Sequence, residues 1–309
     1  LCERKKNGHI NIMKFYTRRA LRIWPLYYLI LLLSWLLIPS LANYFNFLQN
    51  ETYYYDNILK FTSSPYLTIV LFIFMLPNLA LRISPKLVGA SQAWSVGVEE
   101  QFYAIWPHLF NQVKNKQYLL LILILISCLP FFVEIISLIN SEFSSKIRSI
   151  LAIFPIYFMA MGGIGAFLLF YYKELITPIL KNPLIFKINT VLLIICLFYS
   201  SPSIIFASVI MLQILLITRN TFKINLRNVQ LNKLGEISYG LYMYHPIIMY
   251  LCFSICNYYF KIENIILYNL IIYLSIFGLT YALSNFSYNH FEKIFINLKN
   301  KKYKIIKNN

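Results

Sequence analysis

Long apolar runs, separated by short polar or basic segments, dominate this sequence. Most runs extend for about 20 residues, the length that an α-helix needs to cross the hydrocarbon core of a bilayer. The pattern predicts eight membrane spans, at residues 23–41, 94–111, 117–138, 148–172, 187–201, 202–218, 237–259 and 265–286. We therefore expect an all-α, polytopic bundle of membrane helices.

A further apolar run at 66–80 is interrupted by Pro77 and Asn78. Loop charge decides how to interpret it, because cytoplasmic loops hold an excess of Lys and Arg. If this run does not cross the membrane, 22 of the 28 basic residues fall on one side. If it crosses, that bias disappears. We therefore predict a re-entrant segment at 66–80, an outer loop at 42–93 and both ends of the chain in the cytoplasm.

The composition supports a membrane protein and argues against other classes. Hydrophobic residues make up 59% of the 309 residues and charged residues only 13%, although the net charge is +17. Soluble domains carry roughly 25% charged residues, and nucleic-acid-binding or disordered chains are basic without being this apolar. We predict no nucleic-acid partner. The lysine-rich tail from Lys293 to Lys307 is interpreted as an anchor near anionic lipid.

The first motif with candidate chemistry runs from Phe15 to Tyr27 and contains Arg18, Arg19 and Arg22. On a helix, Arg22 shares a face with each of the other two arginines. Guanidinium groups bind phosphate in a bidentate manner, so the cluster suits a phosphate-rich ligand. The alternative is a simple basic anchor at the start of a span.

The second motif, from Ala93 to Pro107, places Glu99 and Glu100 side by side at the start of a predicted span. Ionisable residues at membrane depth are costly and usually functional. A glutamate here could orient a catalytic base or bind a sugar hydroxyl, and the alternative is capping of the helix N-terminus by acids. Helical spacing puts Ser95 and Glu99 on one face and Glu100 with Tyr103 on another.

The third motif, from Leu234 to Pro246, surrounds a histidine with tyrosines inside an apolar span. Tyr239, Tyr242 and His245 follow at steps of three and line one side of the helix. The alternative is a structural histidine that is hydrogen-bonded beside a proline kink. His290 and Glu292 are interpreted as an interfacial cap of the last span, and the spacing of His and Cys residues predicts no metal site.

Together the three motifs resemble the membrane-bound acyltransferase family 3, which includes bacterial O-antigen, peptidoglycan and exopolysaccharide O-acetyltransferases. The resemblance covers essentially the whole chain, in motif order and spacing. It implies a ten-helix enzyme of the bacterial inner membrane. Such an enzyme moves an acyl group, usually acetyl, from cytoplasmic acyl-CoA to a hydroxyl of a cell-envelope glycan or lipid-linked sugar. It also implies that Arg19 and Arg22 handle the donor.

Family members begin with two further spans, the first of which carries an Arg and a His that acts as the expected base. None of His9, His108, His245 and His290 matches that motif. We therefore expect residues 1–309 to form a single membrane domain that lacks the first two family helices. The alternatives are an inactive fragment of such an enzyme or, from another class, a transporter or flippase.

The resulting candidate site has three parts. The catalytic candidates within this chain are Glu99 and Glu100, and the donor-binding candidates are Arg18, Arg19 and Arg22. The candidate substrate pocket consists of Trp94, Ser95, Tyr103, Tyr239, Tyr242 and His245.

Overall fold

The computed structural model describes residues 1–199, 203–218, 228–260 and 262–302, with side chains up to residue 299. Four sequence predictions fall partly outside these residues. They concern the end of the 187–201 span, the start of the 202–218 span, the basic loop at 219–235 and the last residues of the lysine-rich tail.

The described residues form helices and no strands, and helices lie in the described part of every predicted span. In chain order they are α1 Cys2–Asn7, α2 Ile12–Leu32, α3 Ile38–Tyr44, α4 Asn46–Gln49, α5 Thr52–Ser63, α6 Tyr66–Ile73, α7 Pro77–Ile83, α8 Ala93–Gln112, α9 Lys116–Ser127, α10 Leu129–Ile139, α11 Ser141–Ile153, α12 Ile156–Tyr171, α13 Lys173–Leu180, α14 Pro183–Phe198, α15 Ser203–Thr218, α16 Val229–Tyr259, α17 Ile265–Ser287 and α18 Lys293–Lys302. Two π-helical segments, Leu33–Leu37 and Tyr288–Glu292, join α2 to α3 and α17 to α18.

Several of these helices have the length and hydropathy of membrane spans. Ile12–Tyr44 and Ile265–Lys299 each meet that test as single helices. Three bent pairs, α9 with α10, α11 with α12 and α13 with α14, meet it together, with bends of 50°, 64° and 76°. Among the described residues this gives two spans, or up to five if each bent pair is one span. The predicted all-α membrane bundle is confirmed.

Asparagine side chains set the start of many helices. An N-cap side chain that accepts a backbone N–H replaces one of the hydrogen bonds that the first turn lacks. Among the residues that the structure describes, six asparagines do this: Asn11, Asn115, Asn140, Asn182, Asn228 and Asn264. The boundaries of long helices therefore follow from local sequence.

Contacts divide the chain into two compact units. The first unit comprises Leu1–Ile10 and Ala104–Arg227, and the second comprises Asn11–Tyr103 and Asn228–Asn309. In the first unit α12 packs against α9. Gly163 of α12 also lets the ring of Trp106, in α8, approach closely, because a Cβ at Gly163 would lie 3.1 Å from that ring. That the whole chain is one membrane domain stays a prediction.

The second unit contains the first and third motifs and the second motif as far as Tyr103, and its core is aromatic as well as aliphatic. The largest fully buried side chains there are Tyr27, Tyr250, Phe61, Phe72, Leu26, Ile30, Leu48 and Leu87. The buried tyrosines keep their hydroxyl groups paired, as burial requires. Tyr250, for example, donates to the carbonyl of Leu48 at 2.7 Å.

The predicted re-entrant segment is a broken helix in the second unit. Helix α6 has 8 residues and rises only about 12 Å, far less than the roughly 30 Å of a bilayer core. The break at 74–76 includes Met75 with a φ of 58°.

Side chains from neighbouring helices donate hydrogen bonds to the carbonyl groups at this break. Tyr27 donates to the Phe72 carbonyl at 2.8 Å, and Tyr28 donates to the Ile73 carbonyl at 3.0 Å. The Gln101 amide donates to the carbonyl of Met75 at 3.2 Å. Irregular backbone at membrane depth is tolerated only with such partners. The geometry therefore supports a segment that enters and returns.

Candidate functional site

Arg19 lies against the aromatic ring of Tyr103. Its guanidinium carbon is 4.2 Å from the centre of that ring and 5.7 Å from the centre of the Phe15 ring. A cation over an aromatic face is attracted by the ring quadrupole. Helices α2 and α8 thus hold one arginine of the first motif beside a tyrosine of the second.

The two carboxylates of the second motif lie near the same arginine. The Glu99 carboxylate is within hydrogen-bonding reach of the Tyr103 side chain, and Arg19 interacts electrostatically with Glu99 and Glu100. The prediction that Glu99 and Tyr103 occupy different faces of α8 was wrong. The two residues are four apart on the helix, so they are neighbours on its surface.

Glu100 has one paired and one unpaired oxygen. Its Oε2 accepts a hydrogen bond from the indole Nε1 of Trp24 at 3.1 Å. Its Oε1 is buried and has no hydrogen-bond partner among the described residues. A buried acceptor without a donor is costly, so this oxygen is suited to a donor that the described residues do not supply.

A fourth cation joins the arginines of the first motif. Lys299 of α18 is 9% exposed, and it lies within electrostatic range of Arg18, Arg19 and Arg22. Like charges at close range repel one another, and an anion among them offsets this repulsion. The anchor interpretation of the tail did not foresee this position, because only the packing of α18 against α2 brings Lys299 to the cluster.

Glu292 departs from its sequence interpretation. It is 6% exposed and lies in the π-helical segment, where its Oε1 is 3.3 Å from Ser287 Oγ. Arg22 is within electrostatic range. The interfacial-cap interpretation was therefore wrong for Glu292, because the helix continues past it and buries the carboxylate. His290 is exposed and stacks on Phe286 with ring centres 4.4 Å apart.

Ser95 and Tyr242 connect the second and third motifs. The Ser95 Oγ and the Tyr242 hydroxyl are 2.7 Å apart, and that hydroxyl is also 2.7 Å from the Gln92 carbonyl, to which it donates. Gln92, which sequence reasoning missed, donates its amide N–H to the Met243 carbonyl at 2.6 Å. The structure reveals that Gln92 connects the two motifs, because its partners Tyr242 and Met243 lie about 150 positions away in the sequence.

Tyr239 connects the third motif to the first. Its hydroxyl donates to the backbone carbonyl of Ile23 at 3.0 Å, next to Arg22 in α2. The side chain is partly buried. Tyr239 therefore fixes the backbone that carries the arginines.

His245 owes its orientation to the proline that follows it. Pro246 has no N–H, so the Tyr242 carbonyl four residues earlier lacks its helical donor. The Nδ1 of His245 lies 2.7 Å from that carbonyl and must donate to it. In the neutral ring Nε2 then carries the lone pair. The predicted hydrogen bond of a histidine beside a proline is thus present, one ring nitrogen remains available, and the role of His245 stays a prediction.

A pocket of about 430 Å³ opens beside His245 in the second unit. Trp94 and His245 line it together with residues that the sequence did not single out, among them Tyr53, Asn57 and Lys86. The predicted pocket residues thus do not all line one pocket. Trp94 and His245 line the pocket, whereas Tyr103 lies with Arg19 and the two carboxylates. Both places share α8.

Among the described residues, no group of three or more His, Cys, Asp and Glu side chains could hold a metal ion. That the protein binds no metal stays a prediction.

A family model described as "Acyltransferase domain" matches residues 5–285 of this chain. The chain therefore belongs to the acyltransferase family 3 and is an acyltransferase of the non-aminoacyl type, built as a helical membrane protein. No curated protein and no solved structure gives a significant match to it. The predicted enzyme class is confirmed; the roles of single residues stay predictions.

Proposed function

We propose that this protein is an O-acyltransferase of the bacterial inner membrane. It would transfer an acyl group, usually acetyl, from cytoplasmic acyl-CoA to a hydroxyl of a cell-envelope glycan or lipid-linked sugar. The observation that carries the proposal is the juxtaposition of Arg19 with Glu99 and Glu100. A phosphate-binding cation and two carboxylates at membrane depth suit a phosphate-bearing donor and an acceptor hydroxyl.

The basic cluster accounts for donor binding. Acyl-CoA carries a diphosphate and a further phosphate, and Lys299 lies within electrostatic range of Arg18, Arg19 and Arg22. Arginine forks bind phosphate oxygens in pairs, whereas lysine acts as a compact charge. An anion among these cations relieves their mutual repulsion. The charge pattern of the loops supports a cytoplasmic position for this cluster and for both ends of the chain.

The reaction is a nucleophilic acyl transfer. The acceptor hydroxyl oxygen attacks the thioester carbonyl, a C–O bond forms, the C–S bond breaks and coenzyme A leaves as its thiol. The hydroxyl proton passes to a general base, which the family resemblance assigns to a histidine that none of the four histidines here matches. We propose that Glu99 or Glu100 orients this base or binds the acceptor, and the unpaired Oε1 of Glu100 is available for that hydrogen bond.

Acetyl transfer from labelled acetyl-CoA to envelope glycan, measured in membranes that contain the protein, tests the proposal. We expect transfer by the wild type and at least roughly tenfold less by Arg19→Gln combined with Arg22→Gln, because charge-assisted hydrogen bonds are worth about 1.5–3 kcal/mol each. No transfer by the wild type, or full transfer by the double variant, contradicts the proposal.

Lys299 offers a matched test of the donor cluster. Lys299→Gln should raise the KM for acetyl-CoA several-fold. Lys293→Gln alters an exposed lysine of the same helix and should leave the KM near the wild-type value. Equal effects of the two substitutions would remove Lys299 from the donor site.

A further inference from the structure

The pocket beside His245 has the size and lining of a small-molecule site. Its volume of about 430 Å³ lies within the roughly 300–1,000 Å³ of ligand pockets. Aromatic side chains provide part of its wall: Trp94 is 41% exposed and Tyr53 is 59% exposed. Flat, accessible rings of this kind offer apolar contact to the C–H face of a sugar ring, and polar groups around them can bind its hydroxyls.

The charge of the pocket indicates an anionic ligand. Lys86 is the single charged side chain among the residues that line it. Its Nζ donates to the Tyr53 hydroxyl at 3.2 Å and lies 5.6 Å from the centre of that ring. No carboxylate of the described residues forms an ion pair with Lys86. Because Tyr53 accepts from Lys86, its own O–H is available to donate, and both groups can bind one anion.

His245 supplies a hydrogen-bond acceptor to the same pocket. Its Nδ1 is committed to the Tyr242 carbonyl, and no described residue bonds to Nε2. In the neutral ring this nitrogen accepts a hydrogen bond from a hydroxyl. The pocket thus combines anion donors, a ring-stacking surface and a hydroxyl acceptor.

The pocket also has a fixed relation to the carboxylates. Trp94 in its wall and Glu100 belong to the same helix, six positions apart. At about 1.5 Å of rise per residue, they are separated by roughly 9 Å along the helix axis. A ligand that packs on Trp94 is therefore held at a fixed axial distance from Glu100.

We propose that this pocket binds an acidic sugar unit, either a hexuronate or a hexose phosphate, as the acyl acceptor. Lys86 and the Tyr53 hydroxyl bind the anionic group, Trp94 packs on the ring, and Nε2 of His245 accepts from a sugar hydroxyl. The inference rests on the proposed O-acyltransferase function, since it names the acceptor class of that reaction.

Binding to the full chain in lipid nanodiscs, measured by calorimetry without acetyl-CoA, tests the pocket separately from the reaction. The probes are digalacturonate, glucose 6-phosphate and neutral maltose, so that the two sources of the anion are compared directly. We expect at least one acidic probe to bind about tenfold more tightly than maltose, as one charge-assisted hydrogen bond suggests.

Lys86→Gln should remove that preference without weakening maltose binding. Lys60→Gln changes another exposed lysine of the second unit that does not line the pocket, so it should keep the preference. Equal binding of acidic and neutral probes, or an equal loss in both variants, would overturn the proposal. Acidic binding without acyl transfer would contradict the proposed function and leave the pocket assignment intact. Acyl transfer without a preference for the acidic probes would contradict the pocket assignment and leave the proposed function intact.

Discussion

The guanidinium carbon of Arg19 lies 4.2 Å from the centre of the Tyr103 ring. This contact brings a donor-binding candidate of the first motif to the carboxylate pair of the second. Tyr103 also reaches the Glu99 carboxylate. The Tyr103 ring therefore contacts the Arg19 guanidinium, and the Tyr103 hydroxyl bonds to the Glu99 carboxylate.

Two substitutions of Tyr103 should separate these roles. Tyr103→Phe keeps the aromatic face, so Arg19 should keep its orientation and the KM for acetyl-CoA should change little. Tyr103→Leu removes the face, and the lost cation–π contact of about 0.5–2 kcal/mol should raise that KM roughly 2- to 30-fold. Steady-state kinetics in membranes measures both. If the two variants have the same KM, the stacking does not position Arg19.

The hydrogen bond between Trp24 and Glu100 predicts a loss of activity when its donor is removed. Trp24→Phe leaves Glu100 without its indole partner, at a cost of about 1–3 kcal/mol. We expect acetyl transfer to fall roughly fivefold or more. Trp35→Phe is the control, because no carboxylate of the described residues bonds to that indole. A comparable loss in the control would show a general effect of removing tryptophan.

Gly97 should tolerate no side chain. A Cβ there would lie 2.6 Å from Cδ of Pro77, so Gly97→Ala forces α8 away from α7. We expect a loss of stability of about 1–3 kcal/mol, visible as a lower thermal midpoint in detergent. Gly278→Ala, in α17, meets nothing within 4 Å and should unfold within a few degrees of the wild type. A stable Gly97→Ala protein would argue against this close contact.

The re-entrant segment predicts that its two ends lie on the same side of the membrane. In a variant without native cysteines, an impermeant thiol reagent should label Ser64→Cys and Ser84→Cys from the same side. If 66–80 crosses the bilayer, the two positions should be labelled from opposite sides. Intact and inverted vesicles distinguish these results.

Local sequence was enough to locate most helices and the three motifs. The length of the apolar runs identified the candidate spans. Helix starts also follow from local sequence, since Asn115 and Asn228 cap the helices that begin after them. Pro246 beside His245 was sufficient to suggest the hydrogen-bonded histidine, since a proline always frees the carbonyl four residues earlier.

Tertiary contacts determined what the sequence could not predict. Lys299 looked like one lysine of a basic tail, and only the packing of α18 against α2 buries it near the arginines. Gln92 and Lys86 gave no pattern of their own, because Met243 and Tyr53, to which they donate, lie in helices far along the chain. Glu292 was placed at an interface because the π-helical continuation of α17 cannot be read from hydropathy.

Helix α8 is held in place at several points, and this has a consequence for donor choice. Gly97 is wedged against Pro77, and the Gln101 amide donates to Asn78 Oδ1 at 2.8 Å. A helix fixed in this way keeps Trp94 of the pocket and Glu100 at a constant separation, about 9 Å along the helix axis. We expect the enzyme to select acyl groups by length. In a series of acyl-CoA donors, acetyl should be transferred fastest and the rate should fall as the chain outgrows this gap. Equal rates for acetyl and decanoyl donors would mean that the fixed position of α8 does not select acyl groups by length.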